Sequence, residues 1–350
     1  MINSIKIVNF RGFEETKLEG CRRINVVVGG NGSGKTALLE ALFTVAGQSP
    51  EVVLRLRQWR GYEGAFSGVP RHVEDAMWRD LFYKLDKRKI ASISISGSGV
   101  HNRSVTVSYG QASDLLIPID QSLDASDGVY SAPVTFEWTA PNGVVARITP
   151  QIVNGQLSLP PAPSVLFETF FFAANQPVSA TETVTRFSTL SRLNREQPVV
   201  DQFVREFPEV RGLSIQTHAG VPMLFANVTP FSEKVPLNIV SGGINKLAAL
   251  LSTVCYLKRS IVLIDEIENG FYFERLPAVW RSLATLADGS DCQIFATTHS
   301  AECLRAAAEA LDPNKYTLIQ AIREGSASRL LISGGEDARE AISGGLEVRR

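Results

Sequence analysis

The chain has 350 residues, 44% of them hydrophobic and 20% charged, with a net charge of −1. That is globular composition for one large domain or two, and it excludes a uniformly basic surface that would hold nucleic acid by charge alone. No apolar run reaches the ~18 residues of a membrane helix, no signal-peptide layout opens the chain, and the four cysteines lack metal-ligand spacing; a reduced, cytoplasmic protein without a membrane partner is expected.

Residues 2–8 have the alternation of a strand, broken by the turn Asn9-Phe10-Arg11-Gly12-Phe13, and a short strand runs through Thr16-Lys17-Leu18. The apolar run Ile24 to Val28 reads as a buried strand. It leads into Gly29-Gly30-Asn31-Gly32-Ser33-Gly34-Lys35-Thr36, after which Ala37 to Phe43 reads as a helix ending near Gly47. Strand, glycine loop and helix are the context of a phosphate loop. Its glycines let backbone N–H groups of Asn31, Gly32, Ser33 and Gly34 turn inward as an anion nest. Lys35 reaches the β- and γ-phosphates of ATP, and the Thr36 hydroxyl reaches Mg²⁺.

Residues 51–90 read as irregular helices, Glu51 to Trp59 and Val73 to Leu85, with Arg55, Arg57, Arg60 and Arg71 as a local basic concentration. From Ile90 to about residue 160 the period becomes that of an antiparallel β lobe, with a polar, poorly patterned loop near 111–131. Val165 to Phe172 reads as a strand returning to a covered sheet. Residues 180–210 are helical, and short strands follow around Leu213 and Leu224. Ser241-Gly242-Gly243 opens a helix and is a second anion nest with a hydroxyl attached. Ile261 to Ile264 is a buried strand ending in Asp265-Glu266. Leu276 to Leu286 is a helix, Gln293 to Thr298 a central strand, 301–311 an Ala-rich helix and Tyr316 to Ile322 a last strand before a Gly-rich, charged tail.

Asp265, at a strand end after a phosphate loop, is placed to hold Mg²⁺, and Glu266 to polarise the attacking water as general base. His299 ends the next apolar strand, on the edge where open α/β sheets bind ligands, and is placed to sense a γ-phosphate. Because one triphosphate cradle already exists, the natural use of Ser241, Gly242 and Gly243 is the γ-phosphate held by a second copy.

This order of motifs resembles an ABC-class ATPase head, and within that class the stand-alone soluble heads related to the overcoming-lysogenisation-defect family, RecF and the SMC/Rad50 proteins. Ile5 to Phe13 is similar to that group's first strand and turn, and Asp265-Glu266-Ile267-Glu268-Asn269-Gly270 and Thr298-His299-Ser300 to its later motifs. The resemblance implies an α/β P-loop NTPase fold. Its nucleotide-binding core would be residues 1–50 and 235–325, with a helical and antiparallel β lobe at 51–175, a helical and signature lobe at 176–234 and a weakly ordered tail at 326–350. It implies that Lys35 and Thr36 hold phosphate and metal, that Asp265 completes the Mg²⁺ site and that Glu266 and His299 are catalytic. Ser241 and Gly243 would contact the partner's nucleotide, Asn269 and Gly270 would lie in the loop crossing the interface, and Arg11 would touch the nucleotide. Element order places the glutamine-loop residue at Gln176, with Gln48 and Gln58 as weaker alternatives. Ile239-Val240-Ser241-Gly242-Gly243-Ile244-Asn245 departs from the usual signature, lacking the preceding Leu and the following Gln or Glu, and Tyr272 stands where His is frequent.

No sustained heptads accompany the head, and the chain ends too soon after its last predicted strand for an appended nuclease. The expected protein is therefore an ATP- and Mg²⁺-dependent head-to-tail homodimer that controls a separately encoded effector, in anti-phage defence or a toxin–antitoxin-like module. A RecF-like DNA-binding ATPase, using Arg55, Arg57, Arg60 and Arg71 in a basic groove, and an assembly scaffold with little turnover are the alternatives.

Overall fold

Strands β1 (Ile2–Phe10) and β2 (Phe13–Glu19) open the chain, and the buried strand β3 (Ile24–Val28) leads into helix α1 (Lys35–Ala46). The computed structural model describes residues 1–61, 77–110, 134–153, 156–159 and 167–344. Helix α2 (Glu51–Trp59) is followed by β4 (Ala91–Gly97), β5 (Arg103–Tyr109), β6 (Val134–Thr139) and β7 (Val145–Ile148). A ribbon of β8 (Gln151–Val153) and β9 (Gln156–Ser158) precedes β10 (Thr169–Phe172). Helices Ala180–Arg192 and Gln197–Glu206 lead to β11 (Val210–His218), β12 (Val221–Val228) and β13 (Val235–Pro236). The chain then alternates: helix Gly242–Tyr256, β14 (Ile261–Ile264), helix Leu276–Ser290, β15 (Gln293–Thr297), helix Ala301–Ala310, β16 (Tyr316–Glu324), β17 (Ala327–Gly334) and helix Gly335–Ser343.

The central sheet has the order β10-β14-β15-β3-β16-β17, parallel throughout except for β17. Strands β3, β14 and β15 are buried at every position because both faces are covered. Val262 and Ile264 join one core with Leu247 and Trp280, while Ile261 and Leu263 join another with Leu38 and Leu42. The second core lies between the central sheet and an antiparallel sheet of order β2-β1-β4-β5-β6-β7, so α1 is enclosed from both sides. Two lobe residues take up carbonyls at its C-terminal end: Arg103 donates to Ala46 O at 3.0 Å and Gly47 O at 2.9 Å, and Trp138 Nε1 donates to Thr44 O at 3.1 Å. These bonds satisfy helix-end acceptors that have no partner within the helix, and they fix the axis whose other end is the glycine loop. Burial holds the Arg103 pKa down to about 10.

Asn25 is fully buried in β3. Its amide donates to Arg22 O at 2.8 Å and Ile294 O at 3.1 Å, and its carbonyl accepts from Arg22 N–H at 3.0 Å and the Thr317 hydroxyl at 2.9 Å. One side chain thus pins β3 to both flanking strands at the end opposite the loop.

Four features differ from the sequence reading. The tail expected to be weakly ordered from 326 forms β17 and helix Gly335–Ser343; Gly325, at φ +59, makes the turn, and β17 pairs with β16 along its length. Its apolar residues are few, but Leu330 and Ala338 are buried. Second, β1 and β2 belong to the antiparallel sheet, with Ile5 opposite Ile95, rather than to the core sheet with the phosphate loop. Third, the described part of the helix expected over Val73 to Leu85 includes two short 3-10 turns, Arg79–Leu81 and Tyr83–Leu85, and Lys84 and Leu85 have positive φ. Fourth, the arginines of the proposed basic groove are engaged elsewhere. Arg55 pairs with Glu51 at 2.8 Å, Arg57 is buried against Asp80, and Arg60 meets Glu40 at 2.7 Å. The 111–131 loop and Arg71 lie outside the described residues.

Candidate nucleotide site

Four parallel neighbours, β10, β14, β15 and β3, end on the same edge, and their following loops carry the residues singled out by sequence. That edge is where ligands of open α/β sheets bind.

The glycine loop leaves β3 with Gly29, Gly32 and Gly34 at φ +150, +71 and +111. A Cβ on Gly29 would stand 2.2 Å from Ala321 O, so the loop can lie against β16 only without a side chain there. Lys35 folds over the loop and donates to Gly29 O at 2.8 Å and Gly30 O at 3.0 Å. Burial lowers its pKa, against the opposing pull of the Asp265, Glu266 and Glu268 carboxylates.

Thr36, the second residue of α1, donates to Asp265 Oδ1 at 3.1 Å and Oδ2 at 3.2 Å. Thr297, at the end of β15, donates to Asp265 Oδ1 at 2.7 Å and accepts the Glu266 N–H at 2.8 Å. Asp265 is buried, which raises its pKa; the Thr297 and Thr36 hydroxyls oppose that rise. Among the described residues the hydrogen bonds to this buried carboxylate come from neutral hydroxyls, which suits a cation, and Thr36 with Asp265 could hold a divalent ion through oxygen atoms.

Glu266 sits at φ +48, a strained backbone for a non-glycine residue. Its side chain is 38% exposed, and one oxygen accepts from Asn269 Nδ2 at 2.7 Å. His299 Nδ1 lies 3.9 Å from Glu266 Oε1 and 3.1 Å from Glu268 Oε1.

The Ser241-Gly242-Gly243 segment forms the exposed N-terminus of its helix, with Ser241 Oγ accepting the Gly243 N–H at 3.2 Å. A Cβ on Gly243 would be 2.6 Å from Gly270 O, so the glycine is what lets this helix touch the loop after β14. Lys246 holds the same loop by donating to the carbonyls of Glu266, Ile267 and Asn269, the last at 2.7 Å. Burial lowers the Lys246 pKa to about 8.

Gln176 is exposed in the loop after β10 and lines the cleft containing Gly242, Lys246 and Asp265, whereas Asn175 lines the smaller cleft with Thr36, Asp265 and Glu266. Arg11 lines the opening beside Gly34 and Lys35, but its guanidinium is committed to Glu40 at 3.1 Å and to Asp80. Sequence reasoning missed Asn175, Thr297 and Arg323. Arg323 Nη1 donates to Gly32 O at 3.4 Å from the end of β16. Thr297 had a signal, a hydroxyl beside the run ending in His299; Arg323 had none.

Residues 1–96 match the model of an "AAA ATPase domain", and residues 156–305 match "AAA domain, putative AbiEii toxin, Type IV TA system". The backbone superposes on the SMC head bound to the C-winged helix domain of ScpA, with a TM-score of 0.53 and 13% identity over 96% of this chain and 99% of that one. It also superposes on the Pyrococcus furiosus SMC head with an extended coiled coil, with a TM-score of 0.51 and 12% identity over 98% and 99% of the two chains. The chain is an ATPase with AAA-type domain matches, and its fold is that of an SMC head. A protein described as an ATP/GTP phosphatase of Helicobacter pylori is 23% identical to this ATPase over 337 residues, 86% of each chain. The RecF protein of Idiomarina loihiensis is 45% identical over 42 residues, 12% of each chain.

Thr297→Val keeps the shape and removes the hydroxyl between Asp265 and Glu266. Hydrogen bonds to charged groups contribute roughly 1.5–3 kcal/mol, and urea denaturation should register a loss of about that size. A variant as stable as the parent would mean that these two bonds do not hold the edge together.

Proposed function

We propose that this ATPase binds ATP and Mg²⁺ on the edge just described and hydrolyses the γ-phosphate with Glu266 as general base. The carrying observation is the Thr36–Asp265–Thr297 cluster with the half-exposed Glu266 carboxylate beside it. Backbone N–H groups from Asn31 to Gly34 and the Lys35 ammonium cradle the phosphates. Thr36 and Asp265 hold the metal, which when bound neutralises developing charge on the phosphate oxygens. Glu266 takes a proton from the attacking water, and His299 bonds the γ-phosphate. Asn175 or Gln176 reaches in from the loop after β10; of the two, Asn175 lines the cleft with Thr36 and Asp265.

The Ser241-Gly242-Gly243 nest serves a second copy of the chain. It faces outward, and Ile239, Tyr272 and Phe273 around it are exposed at 74%, 62% and 52%. Apolar side chains clustered beside an open anion nest suit a surface that closes on another molecule. The resulting head-to-tail homodimer sandwiches two nucleotides. Opening and closing of that dimer would govern a separately encoded effector in a defence or toxin–antitoxin-like module, a reading supported by the toxin–antitoxin description of the matching domain family. The engagement of Arg55, Arg57 and Arg60 within the molecule removes the main support for a DNA-binding groove on that face.

Glu266→Gln should bind ATP normally and lower turnover by on the order of 10²–10⁴, the usual loss for a positioned base, in a steady-state phosphate-release assay; unchanged turnover would move the base elsewhere. Ser241→Arg should leave ATP binding by the isolated chain intact and abolish ATP-dependent dimerisation in analytical ultracentrifugation. An undiminished dimer in that variant would remove the signature role.

A further inference from the structure

Thr36 lines two clefts. One of them holds Asp265 and Glu266, the proposed metal ligand and base. The other is a cavity of about 570 Å³ between Gly34, Lys35 and Ala37 at the start of α1, the turn Lys84-Leu85, and Arg323 near the end of β16. That is room for a small ligand, and the charge of the walls suits an anion. The acidic wall residue Asp80 is held by Arg11 and Arg57, and Arg60 meets Glu40 at 2.7 Å. Arg323 is different. It is exposed, and among the described residues it has no carboxylate partner: its Nε donates to Gly325 O at 3.2 Å and its Nη1 to Gly32 O at 3.4 Å. Glu324 beside it pairs with Arg329 at 3.1 Å. Backbone pairing, rather than charge, brings Arg323 to this place. Strand β16 runs beside β3 as far as Gln320, opposite Val28, the last residue before the glycine loop, and Arg323 follows three residues later. The hairpin that carries it is tied on two sides. Ser328, opposite Arg323 in β17, donates its N–H to Gly12 O at 2.8 Å, and the Ser326 and Tyr83 hydroxyls share a hydrogen bond of 2.9 Å.

We propose that Arg323 binds the α-phosphate of the nucleotide, with the nucleoside end in the cleft beside it. The proposal rests on the reading of the glycine loop as the polyphosphate cradle and adds the direction in which the ligand lies. The γ-phosphate belongs at Glu266 and the β-phosphate in the nest. A linear chain of three phosphates then leaves the loop on the side away from Asp265, past Gly34 and Ala37. Arg323 stands on that side and already touches the loop backbone at Gly32. A guanidinium carries five N–H donors, and the two carbonyls occupy two of them, which leaves donors for phosphate oxygens. Its planar fork and permanent charge suit a phosphate better than a carbonyl. The 3.4 Å contact to Gly32 O lies beyond the usual range of an N–H···O bond and is a weak clamp, so holding the loop leaves most of the bonding capacity of this cation unused.

The test is titration calorimetry of Arg323→Gln, which keeps donors for the two carbonyls and removes the charge. Binding of ATP and of ADP should both weaken by roughly 10- to 100-fold, the range expected for a hydrogen bond to a charged group. In steady-state kinetics the loss should fall mainly on KM, because the α-phosphate takes no part in the bond that breaks. The decisive readout uses the two diastereomers of ATP carrying sulfur on the α-phosphate. The wild-type chain should distinguish them, since one puts sulfur where the guanidinium would meet oxygen, and Arg323→Gln should lose most of that distinction. If the glutamine variant does not fold, Arg323→Met takes the same measurements. Wild-type affinity for ATP and ADP in the uncharged variant overturns the proposal. So does a uniform weakening of ATP and both thio forms with their ratio unchanged, which is what loss of a loop clamp alone would give. The underlying reading fails separately. Undiminished ATP binding by Lys35→Ala would remove the phosphate cradle, whereas loss of binding in Lys35→Ala beside wild-type behaviour in Arg323→Gln would remove only the α-phosphate contact.

Discussion

The hydrogen bond between Thr36 and Asp265 joins residues 229 positions apart in the chain, and the site depends on it. Thr36 is placed by the glycine loop and by α1; Asp265 is placed by β14. Both are fixed only because β3, β15 and β14 lie side by side with their ends in register. Thr297, from the strand between them, completes the contact by donating to the same carboxylate and receiving the backbone N–H of Glu266. The relative placement of Thr36, Asp265 and Glu266 thus reduces to the parallel pairing of three short buried strands. Sandwiching α1 between two sheets, with Arg103 and Trp138 on its final carbonyls, holds the fourth part of the arrangement still.

Burial makes that edge electrostatically unfinished. Asp265 has its pKa raised by desolvation, and Lys35 has its pKa lowered by the same cause. Each charge is held where water solvates it poorly, and the hydroxyls and carbonyls around it compensate only in part. A bound metal and polyphosphate would supply the missing charges of both signs. The loop after β14 is bound in the opposite manner, tightly and internally: Lys246 holds its carbonyls, and Gly243 allows the signature helix to touch Gly270. Lys246 and Gly243 thus tie that helix to the loop that carries Glu266.

The parts of the fold and site carried by contiguous residues were legible in the sequence. The glycine loop needs glycine at positions 29, 32 and 34, where φ is positive, and Asp265-Glu266 follows four aliphatic residues that read as a covered strand. What was hidden depends on contacts between distant segments. The pairing of β1 with β4 brings Ile2 beside Gly97, and nothing local announces it. Helix Gly335–Ser343 and β17 looked like a loose tail because few apolar residues mark them, yet pairing with β16 and the burial of Leu330 and Ala338 place them in the fold. Arg57 and Arg60 looked like a binding surface because charge in a sequence carries no sign of its partner; Asp80 and Glu40 supply it from 23 and 20 positions away. Asn175 was overshadowed by its neighbour Gln176, and only the direction of the chain after β10 separates them.

The central claim is that the glycine loop is a polyphosphate site whose one essential side-chain cation is Lys35. Titration calorimetry of ATP in the presence of Mg²⁺ into the wild-type chain and into folded Lys35→Ala tests it most directly. The account predicts saturable binding by the wild-type protein and none by the variant at the same concentrations. Equal affinity in the two would contradict it.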